Sequence, residues 1–127
     1  MTINQGDELW RPSAAQISET RLAAYMQWLS SRHHRKFDGY QDLWQWSVDD
    51  LEAFWTSIWE FFDIQADGDP VRVLPVASMP GAKWFPDVRL NYAEHVFRNA
   101  TSAHPALISR YENRELRQVS WQELEEA

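Results

Sequence analysis

The chain has 127 residues, a formal net charge of −7 and an aromatic content of 14 %, including eight Trp. This length allows a single hydrophobic core, and so much aromatic surface can drive folding without disulfides or metal. The absence of Cys excludes disulfides and thiolate metal sites, while the acidic charge disfavours nucleic acid and anionic membranes as partners.

The start of the sequence lacks the features of a targeting signal. Residues 1–8 have neither a basic start nor the apolar stretch of a signal peptide. No apolar run approaches the roughly 20 residues that a membrane-spanning helix needs. We therefore expect a soluble, cytoplasmic protein.

The first third of the chain predicts an extended arm followed by a helix. Residues 1–12 are expected to form the arm, with Trp10 as an anchor. Ser13 and Gln16 have the spacing of a capping box, so a helix is predicted from about residue 14 to about residue 31. Four apolar residues of this helix recur at helical spacing and predict one buried stripe. They are Leu22, Tyr25, Met26 and Leu29.

The most strongly patterned helix lies in the middle of the chain. After a short helical turn over residues 40–46, Ser47 is placed to cap a helix over about residues 48–63. Six apolar residues keep to one face of it. They are Leu51, Phe54, Trp55, Ile58, Trp59 and Phe62. We expect Trp59 to lie near the centre of the core, because Trp55 and Phe62 flank it on that face.

The next segment predicts little regular structure. Val71, Val73 and Val76 alternate, which predicts a short strand. Asn91 is then placed to cap a helix over about residues 92–99.

The last segment predicts a β-hairpin and the start of a helix. Residues 106–111 and 116–119 are expected to be strands around the polar turn 112–115. Ser120 and Glu123 have the spacing of a second capping box. A helix of under two turns and a hairpin without a third strand are each marginal alone. This pattern predicts that the chain stops inside a larger α/β domain.

Several residue groups could indicate a binding site, but each has a simpler structural explanation. The four histidines are His33, His34, His95 and His104. No two of them are spaced as helical metal ligands and no Cys assists them, so surface positions are favoured. The basic run 32–36 could bind phosphate, but a solvated helix end in an acidic chain is favoured.

The remaining candidates are carboxylates, tryptophans and glycines. Asp49 and Asp50 could act in acid–base chemistry, but their place in the first turn of a helix explains them better. The Trp pairs 44/46 and 55/59 could line a sugar or base site, although core or interdomain packing is favoured. The four glycines are isolated, so no glycine-rich phosphate cradle is present.

One segment resembles a known family. Residues 84–94, Trp-Phe-Pro-Asp-Val-Arg-Leu-Asn-Tyr-Ala-Glu, resemble the W-F-x-G-x-x-L-N segment near the start of acetyl-CoA and related synthetases. The form Leu-Asn-Tyr-Ala-Glu at residues 90–94 is most similar to the members that activate acetoacetate. Further blocks agree in order, at residues 9–13, 40–48, 54–55, 59–62, 105–108 and 119–124. Asp87 stands where the family usually has Gly, which predicts an altered turn.

The resemblance implies an adenylate-forming ligase for the parent protein. ATP with Mg²⁺ would adenylate the carboxylate of acetoacetate, and the thiol of coenzyme A would displace AMP. The family's phosphate loop, acyl pocket and catalytic lysine lie beyond residue 127. We therefore predict no catalytic, no cofactor-binding and no metal-binding residue in this chain.

The resemblance also implies a domain organisation. Residues 1–104 would form an N-terminal helical cap, and residues 105–127 would begin the large α/β adenylating domain. The expected fold class is mainly α with a small β-hairpin. The implied partner is the remainder of the same chain, and the exposed hairpin edge would also allow self-association.

Two other functions compete with this interpretation. The chain could be a free-standing, Trp-rich helical interaction module that binds a peptide or a lipid. A small enzyme in its own right has no residue constellation to support it. A reading frame that continues past Ala127 into a Gly/Ser/Thr-rich loop would favour the synthetase.

Overall fold

Short helices dominate the structure, a computed structural model that describes residues 4–127. In chain order the elements are α1 (Ala14–Ser18), α2 (Arg21–Arg32), α3 (Tyr40–Asp49), α4 (Leu51–Phe61), α5 (Tyr92–Phe97), β1 (Leu107–Tyr111), β2 (Arg114–Val119) and α6 (Trp121–Glu125). The strands β1 and β2 pair as an antiparallel hairpin. The predicted fold class, mainly α with a small β-hairpin, is therefore confirmed.

The chain divides into two compact units. The first unit ends at Asp63, and the second runs from Ile64 to Ala127. This division differs from the predicted boundary between residues 104 and 105. The assignment of residues 105–127 to a larger domain stays a prediction.

The arm that precedes α1 has no helix or strand over residues 4–13. Residues 1–3 of the predicted arm lie outside the described residues. Trp10 is 72 % exposed, so the expectation that it anchors the arm is wrong for the described part of the chain. The nearby Arg11 guanidinium donates to the Glu8 carboxylate at 2.7 Å.

The first predicted helix is two helices. The Ser13–Gln16 capping box is present and starts α1, as predicted. The chain then breaks before Thr20, whose hydroxyl oxygen accepts a hydrogen bond from the Ala23 N–H at 3.1 Å and starts α2. A single helix over residues 14–31 was a wrong expectation, because Thr20 supplies a second N-cap within it.

The strongest predicted helix begins later than expected. Ser47 lies inside α3, where its hydroxyl donates to the Trp44 carbonyl at 2.7 Å. Asp50 caps α4 instead, because its carboxylate accepts from the Ala53 N–H at 3.1 Å. A carboxylate also interacts favourably with the positive end of the helix dipole. The prediction of Ser47 as the cap is therefore wrong.

The core of the first unit lies between α2, α3 and α4. Its buried hydrophobic residues are Tyr25, Leu29, Leu43 and Trp46. Partly buried apolar residues surround them: Met26, Trp28, Phe37, Ala53, Phe54, Ile58 and Phe61. Tyr25 and Leu29 belong to the predicted stripe of α2, while Leu22 of the same stripe is 39 % exposed.

The side of α4 that faces this core differs from the predicted one. The core side carries Phe54, Ile58 and Phe61, together with Ser57, which is 2 % exposed. Trp59 is half-buried and lies outside the core cluster, so its predicted central position is wrong. Apolar residues cover a wide part of the circumference of α4, and successive residues lie about 100° apart around the helix axis. A set of positions next to the predicted one can therefore face the core.

The second unit leaves all of its side chains at least partly exposed. Among residues 64–127, all of them described, none is buried. The predicted strand over residues 71–76 does not form. The segment instead makes the isolated bridges Asp67–Arg89 and Val76–Lys83.

The predicted caps of the second unit are present. The Asn91 side chain accepts from the N–H groups of Ala93 and Glu94 and starts α5. Ser120 and Glu123 form the second capping box, which starts α6. Two hydrogen bonds from Ser120, from its N–H and from its hydroxyl, hold the pKa of the Glu123 carboxyl below its usual range.

Candidate functional site

An apolar groove opens on the first unit, with a volume of about 360 Å³. Residues of α2, α3 and α4, with Phe62 just after α4, line it: Arg21, Leu22, Tyr25, Tyr40, Leu43, Trp44, Ser47, Phe54, Ile58, Phe61 and Phe62. Its size and its apolar lining with few polar groups are typical of ligand-binding clefts.

A buried hydrogen-bond chain lies beneath the groove. The Ser57 hydroxyl donates to the Phe54 carbonyl at 2.7 Å. Because a serine hydroxyl has one proton, the Tyr25 hydroxyl must donate to Ser57 Oγ, at 2.5 Å. Burial raises the pKa of the Tyr25 hydroxyl above its usual range. These two hydrogen bonds fix the Tyr25 ring in the groove wall.

The rim of the groove is aromatic and carries one charge. Tyr40, Trp44 and Phe62 are exposed by 63 %, 43 % and 48 %. Arg21 is the one charged residue among those that line the groove. The groove can therefore accept an apolar group that has a negative charge beside it.

Residues 84–94, which carry the family resemblance, are hydrogen-bonded to the loop that contains Asp67 and Arg72. Asp67 and Arg89 exchange main-chain hydrogen bonds of 2.7 and 2.9 Å. The Arg72 guanidinium donates to both carboxylate oxygens of Asp87, and the Arg72 N–H donates to one of them at 3.2 Å. Hydrogen bonds to Arg72 hold the pKa of the Asp87 carboxyl below its usual range.

Glycine is required where the two loops meet. Gly68 has a φ of +97°, and a Cβ added there would lie 2.6 Å from the Asp87 carbonyl oxygen. Only a residue without a side chain fits so close an approach. Phe85 also has a positive φ, of 42°, which is uncommon for a bulky residue. Its N–H donates to the Val73 carbonyl at 2.9 Å and helps to hold that conformation.

A polar pocket of about 610 Å³ lies beside these loops. It is lined by Gln65, Ala66, Asp67, Arg89, Leu90, Asn91, Glu94 and His95. The Gln65 N–H donates to His95 Nδ1 at 3.5 Å. The lining carries one guanidinium and two carboxylates, a balance that disfavours a polyphosphate.

The histidines that the sequence singles out have different local partners. His33 Nε2 lies 3.0 Å from Glu60 Oε2, whereas His95 lines the polar pocket. Within residues 4–127, no three His, Cys, Asp or Glu side chains are grouped closely enough to hold a metal ion. The four histidines therefore do not form one site.

The basic run begins where α2 ends, at Arg32. Arg35 stacks on the Trp46 ring, 4.7 Å from its centroid, although Trp46 is 11 residues away in the sequence. A cation placed in this way is attracted by the face of the ring. This residue is therefore occupied in packing and is not held ready for a phosphate.

Two features of these sites were missed by sequence reasoning. No role for Ser57 was predicted from the sequence, yet it is buried and hydrogen-bonded to Tyr25. Arg72 and Asp87 are 15 residues apart, and no local pattern joins them. The departure of Asp87 from the family's Gly was the available signal.

None of the helices within residues 4–127 combines the length and the hydropathy that crossing a bilayer would require.

Comparisons with known proteins converge on one group of enzymes. Residues 40–96 match the family model described as the acetyl-coenzyme A synthetase N-terminus. The acetoacetyl-coenzyme A synthetase of Rhizobium meliloti is 32 % identical over 116 residues, which cover 91 % of this chain and 18 % of that protein. The acetoacetyl-CoA synthetase of Gallus gallus is 26 % identical over 98 % of this chain and 19 % of its own length.

A solved structure gives the same result. The acetoacetyl-CoA synthetase from Streptomyces lividans matches 93 % of this chain with a TM-score of 0.83 and 40 % identity. The match covers 19 % of that structure. This chain thus spans about a fifth of the length of the relatives that it matches.

Proposed function

This chain belongs to the acyl-CoA synthetase family, as an N-terminal segment of such an enzyme, and we propose that its parent protein is an AMP-forming acetoacetate–CoA ligase. One observation carries the proposal. The similarity to the acetoacetyl-CoA synthetase of Streptomyces lividans extends over 93 % of the chain, well beyond the matched segment 84–94. The named relatives from bacteria and vertebrates share the same substrate in their names.

The chain itself would be structural. The described residues offer no group of metal ligands, and the glycines are too far apart in the sequence to cradle a phosphate. ATP, Mg²⁺, coenzyme A and acetoacetate would therefore bind elsewhere in the parent protein. No residue between 4 and 127 is assigned a part in the chemistry.

Packing supports this structural role. The second unit has no buried residue of its own, and the hairpin leaves Leu107, Ile108 and Leu116 more than half exposed. Apolar surface of this kind is usually covered by a partner. The partner would be the remainder of the same polypeptide, with residues 1–104 as its cap and residues 105–127 as the start of its adenylating domain.

The aromatic side of α4 would serve the same contact. Trp55 is 40 % exposed and Phe62 48 %, so the first unit does not enclose them. Docking on the adenylating domain would remove that surface from water. A chain without Cys suits the reducing cytoplasm, where a ligase for acetoacetate would serve ketone-body and lipid metabolism.

The test is an activity assay on the parent protein. The reading frame is extended past Ala127, the full-length protein is purified, and AMP formation is measured with ATP, Mg²⁺ and coenzyme A. Acetoacetate should support turnover better than acetate or butyrate. A preference for acetate would overturn the assignment of acetoacetate as the substrate. If no short acid supported AMP formation, the proposed ligase activity would be overturned.

The groove of the first unit favours a second candidate, an interaction module that binds a peptide or a lipid. The two functions differ in what the isolated chain does. A module would bind its ligand without the rest of a synthetase, whereas a cap would need the adenylating domain.

A further inference from the structure

Residues 67–89 form a long irregular loop that turns back on itself within the second unit. All of these residues are described, and none belongs to a helix or a strand. Main-chain hydrogen bonds nevertheless join the two limbs of the loop in nested order. The pairs are Asp67 with Arg89, Val73 with Phe85, and Val76 with Lys83. We call residues 67–89 the braced loop.

The two limbs of the braced loop are also held by side-chain contacts and by a close backbone approach. Arg72 on the first limb donates to the carboxylate of Asp87 on the second limb, from both its guanidinium and its N–H. Gly68 lies so close to the second limb that a Cβ would be 2.6 Å from the Asp87 carbonyl oxygen. Phe85 has a φ of 42°, and a bulky residue keeps such a conformation only where its surroundings enforce it. The braced loop therefore holds its conformation through contacts between its own limbs.

The tip of the braced loop, residues 77–82, is uncharged and strongly exposed. Its sequence is Ala-Ser-Met-Pro-Gly-Ala. Met79 is 82 % exposed, more than any other large hydrophobic residue within residues 4–127. A Met side chain is flexible and adapts to irregular apolar surfaces. Because the limbs are already held, little backbone freedom would be lost when the tip binds. Such a loop is suited to docking into another surface.

The remainder of the same polypeptide is the partner that the comparisons favour. The family model matches residues 40–96, so the whole braced loop belongs to the matched segment and is not an insertion into it. The match to the solved synthetase covers 19 % of that chain, so a full-length protein of this kind has several times more surface than this segment. A large apolar side chain left in water within a shared segment is covered at the least cost by that surface.

We propose that the tip of the braced loop docks into an apolar pocket on the adenylating domain of the same polypeptide, with Met79 as the inserted side chain. The proposal rests on the proposed function and adds a defined contact to it. This contact is separate from the aromatic side of α4 and from the hairpin. The bracing between the limbs holds Met79 in place for insertion.

Oxidation by hydrogen peroxide tests whether the tip is covered in the full-length parent protein. Peroxide converts an accessible Met side chain to the sulfoxide, and peptide mass spectrometry gives the rate at Met79. In the native parent protein we expect Met79 to be oxidised about tenfold more slowly than in the same protein unfolded in urea, because docking keeps peroxide from its sulfur. The protection should be the same at every protein concentration, since the contact lies within one polypeptide.

A substitution at the tip tests its apolar character in the same protein. Met79→Asp would bury an unpaired carboxylate in the docked state, so it should lower the melting temperature of the parent protein. Met79→Leu keeps an apolar side chain and should restore the melting temperature. Asn113→Asp is the matched control, because it introduces the same charge at an exposed position in the turn between β1 and β2. If Met79→Asp does not fold, the oxidation rate of the unchanged protein decides.

Oxidation of Met79 in the native parent protein at the rate of the unfolded protein would overturn the proposal. So would protection that is lost on dilution, because the partner would then be a second copy. Equal melting temperatures of Met79→Asp and Asn113→Asp would also contradict an apolar contact. AMP formation with acetoacetate, measured on the same preparation, separates these outcomes from the proposed function. An active ligase with an accessible Met79 would retain that function without the contact, and a protected Met79 without AMP formation would retain the contact without the function.

Discussion

At the scale of single residues, Leu29 is the centre of the first unit. Its side chain is 0 % exposed, and it packs with Tyr25, Leu43 and Trp46 in the core cluster. A leucine in such a place contributes its full transfer free energy, and its removal also leaves a cavity.

We therefore expect Leu29→Ala to lower the free energy of unfolding by about 2–5 kcal/mol. Thermal or urea unfolding followed by Trp fluorescence measures this loss. Leu51→Ala is the control, because Leu51 is 39 % exposed and should cost clearly less. Equal losses in the two variants would place the core elsewhere.

The buried pair of Tyr25 and Ser57 is the second feature at this scale. Tyr25→Phe keeps the ring and removes the hydroxyl that donates to Ser57 Oγ. We expect a loss of about 0.5–1.5 kcal/mol, the usual contribution of one hydrogen bond. A double-mutant cycle with Ser57→Ala, followed by urea unfolding, should give a positive coupling energy. Additive losses would contradict a direct bond.

The same tyrosine should make stability depend on pH in alkaline solution. Burial raises the pKa of Tyr25 above its ordinary value of 10.0, so the unfolded chain loses this proton at a lower pH than the folded chain. The stabilisation that comes from the raised pKa of Tyr25 is fully present below pH 10.0 and is lost as the pH rises through the folded-state pKa. Urea midpoints should therefore fall less steeply above pH 10.0 in Tyr25→Phe than in the unchanged chain.

At the scale of elements, caps were the most predictable feature. Ser13, Asn91 and Ser120 each start a helix as the sequence predicts. An N-cap is a local hydrogen bond within three residues, so the sequence contains all of its parts. The hairpin was equally accessible, since its strands and turn are adjacent in the chain.

The boundary between α3 and α4 shows where local reasoning fails. Ser47 and Asp50 are both good N-cap residues, and each is followed by apolar residues at helical spacing. The choice of Asp50 is coupled to packing, because α4 must turn Phe54 and Phe61 towards Tyr25, 6.4 and 5.0 Å away between ring centroids. Which part of a wide apolar helix face points into the core is decided by packing against the other helices and not by the local sequence. Trp59 was misplaced for this reason.

The candidate sites follow the same rule. The wall of the groove combines residues from three helices, and the pair of Arg72 and Asp87 joins two loops. Neither the distance between such residues nor their orientation is contained in a local pattern. The exposed arm with Trp10 was recognised from sequence, but its lack of an anchor was not.

The Arg72–Asp87 pair gives a prediction for the loops that carry the family segment. The low pKa of Asp87 comes first from hydrogen bonds donated by Arg72. In the Arg72→Ala variant, the NMR titration midpoint of the Asp87 carboxyl should return towards the ordinary value of 3.8. The amide protons of Asp67 and Arg89 should also exchange faster, since the ion pair and the bridge hold the same two loops. An unchanged midpoint would show that the pair does not persist in solution.

The sign of the accompanying pH effect follows from the lowered pKa. The folded chain keeps Asp87 ionised at a pH where the unfolded chain has begun to bind a proton. The stabilisation is present above the unfolded-state value of 3.8 and is lost as the pH falls through the lower folded-state value. Because the Arg72 side chain is 61 % exposed and the Asp87 side chain 26 %, added salt should weaken the pair.

At the scale of the whole molecule, the two units differ in how far their side chains are buried. The buried residues all belong to the first unit, and the hairpin of the second has two strands alone. Such a hairpin is marginal without further cover. Hydrogen exchange should therefore be faster over residues 105–127 than over the helices of the first unit in the isolated chain, and much slower in the longer parent protein. Strong protection there in a dilute monomer would contradict this.

The last prediction concerns nucleotides. The isolated chain should bind neither ATP nor coenzyme A with a micromolar dissociation constant. Its net charge is −7, and its two lysines, Lys36 and Lys83, stand far apart in the sequence. The polar pocket offers Arg89 for a phosphate, but Asp67 and Glu94 line the same pocket and would repel one.

Isothermal titration calorimetry with each nucleotide measures this directly, with the full-length protein as the positive control. Asp67→Asn combined with Glu94→Gln provides a sharper comparison, because it keeps the Arg89 guanidinium and removes both carboxylates from the lining of the pocket. If even this variant shows no heat of binding, the pocket lacks the geometry for phosphate as well as the charge. A micromolar affinity of the unchanged chain would mean that the cap carries a nucleotide site of its own, and its purely structural role would have to be abandoned.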